Sequence, residues 1–313
     1  MDAPLALPEG FSARPCALAD VHATFQLVAA CEMHDAGVVD IEFDDIQSEW
    51  TRPSFDLPGG TVAVFEDASG TLVAQGEVTY GQRADCSVHP GFRGRGIGTW
   101  LVQWTEDCAR AIGASRIGQT VIDTATDAID LFERRGYARR FTSWILDIQF
   151  AQTPPKAAEL PEGYTIRDFV PGTDDRIVHA LIDAAFLEWS DREPGLLEDW
   201  RVIMGIARPG FAPWLIPVLT TPDGTIGGAA VLSDTSEENE GWVQQLAVAP
   251  EHRGLGLGRA LLDESFSRFH SRGRRGCSLN TDSRTGALGL YEHAGMSVKR
   301  SYTHRALYFS DTD

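Results

Sequence analysis

The sequence predicts two domains of the mixed α/β class, each an α+β arrangement around a mixed sheet, joined in tandem. Three observations support this prediction. The chain has 313 residues with 43% hydrophobic content, enough to form the cores of about two domains. A set of motifs occurs twice in the same order, and in each half short β-rich runs alternate with amphipathic stretches.

The repeat covers three pairs of segments at nearly constant spacing. A period this long suits the duplication of a whole domain rather than a solenoid unit. The repeated segments are Leu7–Arg14 (again 153 residues later), Arg93–Gly98 (160 later) and Leu131–Gly136 (159 later). The domains are therefore predicted at residues 1–152 and 153–313, with the Pro-Pro-containing stretch 151–160 as the linker.

Within each half, strands precede a glycine-rich turn and a helix follows it. In the first half the predicted strands are 61–66, 72–80 and 86–88, with a helix over about 99–112. In the second half residues 214–219 and 226–232 flank the turn signal Pro222-Asp223-Gly224 and predict a hairpin. A strand over 242–248 and a helix over 259–272 follow.

Composition excludes several classes of function. The formal net charge of −18 repels phosphate backbones and anionic membranes, so neither nucleic acid nor a membrane is an expected partner. The five cysteines form no CxxC pair and no zinc-binding pattern, so no metal is expected. The N-terminal residues do not resemble a signal peptide, and no apolar run is long enough to span a bilayer. A cytoplasmic protein is predicted.

The glycine-rich turn in each half lies between a strand and a helix. Such a turn gathers backbone N–H groups at the positive end of the helix dipole and suits a phosphate or pyrophosphate. No Gly-Lys-Ser/Thr sequence is present, which disfavours ATP and GTP. The glycine spacing also misses the dinucleotide fingerprint, because its third position falls on Arg259 and Thr99.

The pattern that remains is Arg-x-x-Gly-x-Gly after a strand that ends in Val-x-Pro. It is found in Leu246–Gly258 and in Ser87–Gly98. Both segments resemble the acyl-CoA pyrophosphate loop of the GNAT superfamily of N-acetyltransferases. The resemblance implies that acetyl-CoA is the co-substrate, that the preceding strand pairs with the pantetheine arm, and that a main-chain N–H there polarises the thioester carbonyl.

The residues that this resemblance implies in CoA binding fall in two sets. They are Leu246, Ala247, Val248, Arg253, Gly254, Leu255, Gly256, Leu257, Gly258 and Arg259 in the second half, and Ser87, Val88, Arg93, Gly94, Arg95, Gly96, Ile97, Gly98 and Thr99 in the first.

A second signature distinguishes the halves. Residues 287–296 read ALGLYEHAGM and are similar to the later helix of the same superfamily. The resemblance implies that the Tyr291 hydroxyl protonates the departing CoA thiolate. The first half has Phe132 at the matching position, so the C-terminal domain is the predicted catalyst and the N-terminal domain is the less fit for chemistry. The asparagine that many relatives carry upstream is replaced by Arg284 and Ala125.

The general base is the least defined part of the predicted site. Glu240 precedes the loop strand and is a candidate, although Asp234, Glu237, Glu238 and Glu240 together also fit a solvated acidic loop. Glu188 and Asp191 are candidates for an acceptor pocket, and His304 is a further candidate base.

The predicted activity is transfer of an acetyl group from acetyl-CoA to the primary amine of a small molecule, by direct attack on the thioester. The tandem architecture is similar to that of mycothiol synthase, which implies a cysteinyl glucosaminyl-inositol as an alternative acceptor. A non-catalytic acyl-CoA sensor or scaffold is the alternative from another class.

Overall fold

The computed structural model describes residues 5–153, 155–190, 192–234 and 239–309. The chain divides into two compact units. Unit 1 comprises residues 1–142 together with 302–313, and unit 2 comprises residues 143–301. None of the helices in the described ranges combines the length and the apolar character that crossing a bilayer demands.

The described residues contain strands and helices in alternation. The strands are β1 (Phe11–Arg14), β2 (Thr61–Glu66), β3 (Leu72–Thr79), β4 (Arg83–Val88), β5 (Arg116–Ile122), β6 (Ala138–Gln149), β7 (Thr165–Asp168), β8 (Pro217–Thr220), β9 (Ile226–Ser233), β10 (Glu240–Val248), β11 (Gly276–Asp282) and β12 (Ser297–Tyr308). The α-helices are α1 (Val21–Ala36), α2 (Phe43–Thr51), α3 (Leu57–Gly60), α4 (Ile97–Ala111), α5 (Thr126–Arg134), α6 (Asp175–Leu187), α7 (Leu197–Ile203), α8 (Leu257–Ser271) and α9 (Leu288–His293).

The sheet of unit 1 follows the order β1-β2-β3-β4-β5. Neighbouring strands are antiparallel except β4 and β5, which are parallel. Residues 302–308 of β12 complete this sheet on the far side of β5, antiparallel to it. One face is covered by α1 and α2, with Leu27 and Trp50 in the core, and α4 covers the other face with Ile97 and Leu101.

Unit 2 repeats this plan. Its strands follow the order β7-β8-β9-β10-β11, with β10 and β11 as the parallel pair. Residues 143–149 of β6 pair antiparallel with β11. Val178 of α6 and Trp200 of α7 pack on one face. On the other face α8 contributes Phe266 and Phe269, and both rings are almost fully buried.

The two sequence halves exchange their last strands. The β6 segment that pairs with β11 in unit 2 comes from the end of the first half. The β12 segment that pairs with β5 in unit 1 comes from the end of the second half. The compact units therefore do not coincide with the predicted domains 1–152 and 153–313. The described part of the predicted linker, residues 151–153 and 155–160, contains no helix or strand.

The predicted elements agree with the structure apart from their ends. The strands at 61–66 and 72–80 are β2 and β3, and the helix at 99–112 is α4, which begins two residues earlier at Ile97. The predicted hairpin is β8 and β9. Its first strand begins at Pro217 rather than Trp214, because Pro213–Leu215 form a short 3-10 helix. The start of β4 is also displaced by three residues, to Arg83 rather than Cys86.

Truncation tests the strand exchange. A chain that ends at Ser301 should lose the partner of β5 together with the fully buried Ala306 and the core contacts of Leu307 and Phe309. Each large buried side chain contributes about 2–5 kcal/mol, against a domain stability of about 5–15 kcal/mol. We expect unit 1 to unfold at a much lower urea concentration, measured by circular dichroism. A chain that ends at residue 309 is the control, and equal unfolding midpoints for the two truncations would contradict the exchange.

Candidate active site

The parallel strands of unit 2 separate part of the way along their length. Pairing between β10 and β11 runs from Glu240–Gly276 to Val243–Leu279, and a β-bulge follows between Val243 and Gln245. Beyond that point β10 pairs only with β9 among the described strands. The main chain of Leu246, Ala247 and Val248, which the sequence implicated in CoA binding, therefore has one edge with no strand partner.

Unit 1 contains the same gap. Its parallel pairing is limited to Arg83–Gly118 and Ala84–Gln119, although β4 continues to Val88. The predicted residues Ser87 and Val88 lie in this separated part of β4. Both units thus combine a strand gap with the glycine-rich turn that follows the strand.

The turns place their glycines in conformations that other residues avoid. Gly254 and Gly256 have φ of +78° each, and Gly94 and Gly96 have φ of +76° and +88°. Gly256 and Gly96 are the N-caps of α8 and α4. A Cβ on Gly254, Gly256 or Gly94 would meet no atom within 4 Å. A Cβ on Gly96 would lie 3.3 Å from Pro8 Cγ, so the turn of unit 2 is the more open of the two. The first N–H groups of a helix have no intrahelical partner, so a turn of this kind suits an anion.

The first arginine of each turn fixes the turn to its own unit. Arg253 donates from Nε to the Val248 carbonyl (3.0 Å) and forms a two-bond ion pair with Glu188, each bond 2.7 Å. Arg93 does the same with the Val88 carbonyl (3.1 Å) and with Asp35 (2.7 and 2.8 Å). The sequence resemblance implied that both arginines contact CoA. In the structure three N–H donors of each arginine join the end of the strand to a carboxylate, Glu188 after α6 or Asp35 on α1.

The other predicted turn residues divide into core, helix-start and surface positions. Leu257 and Ile97 are buried, whereas Leu255 is 48% exposed. Arg259 bonds to Asp263 and to the His293 carbonyl. The remaining predicted residues lie in the turn or in the first helical turn: Arg95, whose guanidinium lies 4.7 Å from the centre of the Phe92 ring, Gly98, Thr99 and Gly258.

Tyr291 lies on α9 in the core cluster that also contains Val243 and Leu279, the last paired residues before the gap of unit 2. Its side chain is 9% exposed. Burial raises the pKa of its hydroxyl, so the neutral, proton-bearing form predominates at physiological pH. Phe132 occupies the matching place in unit 1, packed 5.0 Å from the Tyr137 ring, and has no proton to donate.

Glu240 lies at the start of β10, within the paired part of the strand. Its carboxylate accepts hydrogen bonds from Gln149 Nε2 (2.7 Å) and Ser278 Oγ (3.3 Å). Three residues separate it from Val243, about 10 Å along a strand. A proton must therefore travel through water to reach Glu240 from the gap.

The other polar candidates have different surroundings. Glu188 pairs with Arg253 and is committed to the turn. Asp234 pairs with Arg274. His304 lies in unit 1, where its ring stacks 4.4 Å from Phe141, and so does not belong to the site of unit 2. Asp191, Glu237 and Glu238 lie outside the described residues.

Two tryptophans near the gaps were not identified from the sequence. Trp200 on α7 donates from its indole to Gln245 Oε1 (2.9 Å), and the His179 ring packs 5.6 Å from it. Burial lowers the pKa of His179. Trp50 on α2 donates in the same way to Glu77 Oε2 (2.8 Å). The two tryptophans are 150 residues apart, and each follows an acidic residue. This short repeat was the one feature of the sequence that could have identified them.

Comparison with known proteins agrees with this geometry. Residues 26–137 and 175–296 match the model of the acetyltransferase (GNAT) family. The chain belongs to the GNAT family and is an N-acetyltransferase. Within the described residues, no group of three His, Cys, Asp or Glu side chains is placed to hold a metal ion.

Several relatives carry the name mycothiol acetyltransferase. The protein of that name from Thermobispora bispora is 32% identical over 219 residues, which cover 67% of this chain and 70% of the relative. The one from Geodermatophilus obscurus is 28% identical over 250 residues, covering 76% and 80%.

Two solved structures resemble this chain over nearly its whole length. A GCN5-related N-acetyltransferase from Sphaerobacter thermophilus has a TM-score of 0.76 and 34% identity, covering 97% of both chains. A tandem GNAT protein from the clavulanic acid biosynthesis pathway has a TM-score of 0.70 at 17% identity, covering 97% of this chain and 100% of its own. This second likeness shows the fold alone.

Proposed function

We propose that the protein transfers the acetyl group of acetyl-CoA to the primary amine of a small molecule, with the chemistry in unit 2. The observation that carries this proposal is the position of Tyr291. It belongs to the same core cluster as Val243 and Leu279, the residues at which the gap between β10 and β11 closes, and to the same unit as the open turn at Gly254 and Gly256.

The proposed position of CoA follows from two sets of main-chain groups, the N–H groups at the start of α8 and the unpaired edge of β10. The pyrophosphate accepts hydrogen bonds from the N–H groups at the start of α8, where the helix dipole adds a favourable interaction. The pantetheine amides pair with the free edge of Leu246–Val248 as a further strand would. This arrangement brings the thioester to the closed end of the gap, beside Tyr291.

The ammonium form of the substrate first loses one proton to the base, and the neutral nitrogen attacks the thioester carbon while a main-chain N–H of β10 stabilises the charge that develops on oxygen. As the carbon–sulfur bond breaks, Tyr291 donates its proton to the thiolate and regains one from the new amide nitrogen, which loses its second proton. Glu240 is the proposed base, reached through water, because its carboxylate is held at the start of the same strand.

Two acceptors fit this mechanism. The net charge of −18 favours a cationic amine. The relatives named mycothiol acetyltransferase support a cysteinyl glucosaminyl-inositol as the alternative. The ratio of kcat/KM for this compound to that for simple primary amines distinguishes them. In either case the intact turn of unit 1 supports retained CoA binding there.

Substitution of the turn glycines tests CoA binding. Gly256→Val should weaken acetyl-CoA binding about tenfold or more, which is about 1.4 kcal/mol, because a side chain there covers the N–H groups. Gly273→Val is the matched control, since Gly273 also has a positive φ (+80°) and open surroundings but lies beyond α8. Calorimetric titration measures both. Equal affinities would remove the turn from the site.

The same comparison applies to unit 1. Gly96→Val should abolish the second binding event, whereas Gly113→Val, at φ +73° after α4, should preserve it. If both variants bind as the wild type does, unit 1 holds no CoA at its turn.

Removal of the Tyr291 hydroxyl tests the general acid. Tyr291→Phe should lower kcat about a hundredfold or more, the usual contribution of general acid–base catalysis, and leave acetyl-CoA affinity unchanged because the ring still packs. The exposed Tyr308 provides the control substitution Tyr308→Phe. Release of free thiol gives the rate. Undiminished turnover by Tyr291→Phe would show that another group protonates the thiolate.

A further inference from the structure

Glu77 lies beside the closed end of the gap in unit 1. The parallel pairing of β4 with β5 stops at Ala84, so Asp85 is the first residue of β4 in the gap. Glu77 on β3 is the direct cross-strand partner of Asp85. Facing residues on adjacent strands have Cα atoms about 4.5–5.5 Å apart. Only β4 would then separate Glu77 from a thioester that reaches the end of this gap.

The Glu77 side chain faces away from α4. A Cβ on the preceding residue, Gly76, would touch Leu101 and Trp104 of α4, and successive side chains of a strand point to opposite faces. On the other face Trp50 donates its indole N–H to Glu77 Oε2 (2.8 Å), and Thr79 Oγ1 lies 3.4 Å from Oε1. The carboxylate is thus held in one orientation.

The charges around Glu77 favour uptake of a proton or a cation. Burial, together with the nearby carboxylates of Asp85 and Glu49, raises its pKa to about 7 against the opposing effects of the Trp50 bond and the Arg83 cation. Arg83 is itself paired with Asp85 (3.0 Å), and both side chains reach solvent. The ionised form of a carboxylate that is buried near other negative charges is stabilised by an ammonium group beside it.

Unit 2 lacks a carboxylate at the equivalent place. There the cross-strand pair beside the end of the gap is Val231 on β9, at the place of Glu77, and Gln245 on β10, at the place of Asp85. The indole of Trp200 bonds to the Gln245 amide, and an amide cannot accept a proton at physiological pH. Within these pairs, unit 1 therefore has a proton acceptor at its gap but no tyrosine, and unit 2 has the tyrosine but no carboxylate.

We propose that unit 1 contains an acceptor site of its own, in which the Glu77 carboxylate binds the ammonium group of a primary amine and takes up its proton. This inference rests on the proposed function, because it requires CoA in the gap of unit 1. The freed amine forms the new carbon–nitrogen bond as the carbon–sulfur bond of the thioester breaks. Of the two protons that the ammonium loses, one passes through Glu77 to solvent and the other ends on the thiolate.

The test uses two CoA thioethers that cannot react. S-(3-aminopropyl)-CoA carries an ammonium group where S-butyl-CoA carries a methyl group. Both are titrated calorimetrically at pH 8 into full-length Gly256→Val protein, in which binding at the turn of unit 2 is weakened, so that the tighter binding event reports unit 1. The ammonium compound should bind at least about tenfold more tightly, as expected for a charge-assisted hydrogen bond.

Substitution of Glu77 completes the test. Glu77→Gln keeps the oxygen that accepts from Trp50, so folding should be preserved, and it should abolish the preference for the ammonium compound. Glu66→Gln at the end of β2 is the matched control and should retain the preference. Equal binding of the two thioethers, or a preference that survives Glu77→Gln, would overturn the proposal. Binding of neither thioether would also overturn it, and would place the failure in CoA binding by unit 1.

Discussion

Early separation of the parallel strands is the constraint on which the rest of each unit depends. In unit 2 the pairing of β10 with β11 ends at Val243, and in unit 1 the pairing of β4 with β5 ends at Ala84. Main-chain groups that a sheet normally satisfies internally are left for another partner. The turn after the strand and the helix start beyond it then supply N–H donors in line with this edge, so a single ligand can use both.

The arginine ion pairs keep this arrangement open. Arg253 joins the Val248 carbonyl to Glu188 on the segment after α6, and Arg93 joins the Val88 carbonyl to Asp35 on α1. The strand end, the turn and the helix are thus held together without a side chain in the gap. The Arg253 pair is exposed and contributes at most about 1 kcal/mol to stability. We therefore infer that this ion pair serves mainly to hold the turn in position.

Much of the fold and half of the site could be predicted from the sequence. Gly254 and Gly256 indicated the phosphate turn because their spacing has a direct backbone reason. Strand exchange could not be predicted, because β6 and β12 have compatible patterns and nothing local specifies which parallel strand each will pair with. The ion pairs of Arg253 and Arg93 could not be predicted, because a sequence does not show that Glu188 and Asp35 lie opposite them. Glu77 was missed because its significance depends on where β4 and β5 separate.

The central claim is that each strand gap with its glycine turn binds acetyl-CoA. Calorimetric titration of acetyl-CoA into the intact wild-type chain tests it most directly, because it counts bound molecules without requiring a known acceptor. We expect two molecules per chain. A chain that binds only one molecule, or none, would contradict the claim for both gaps.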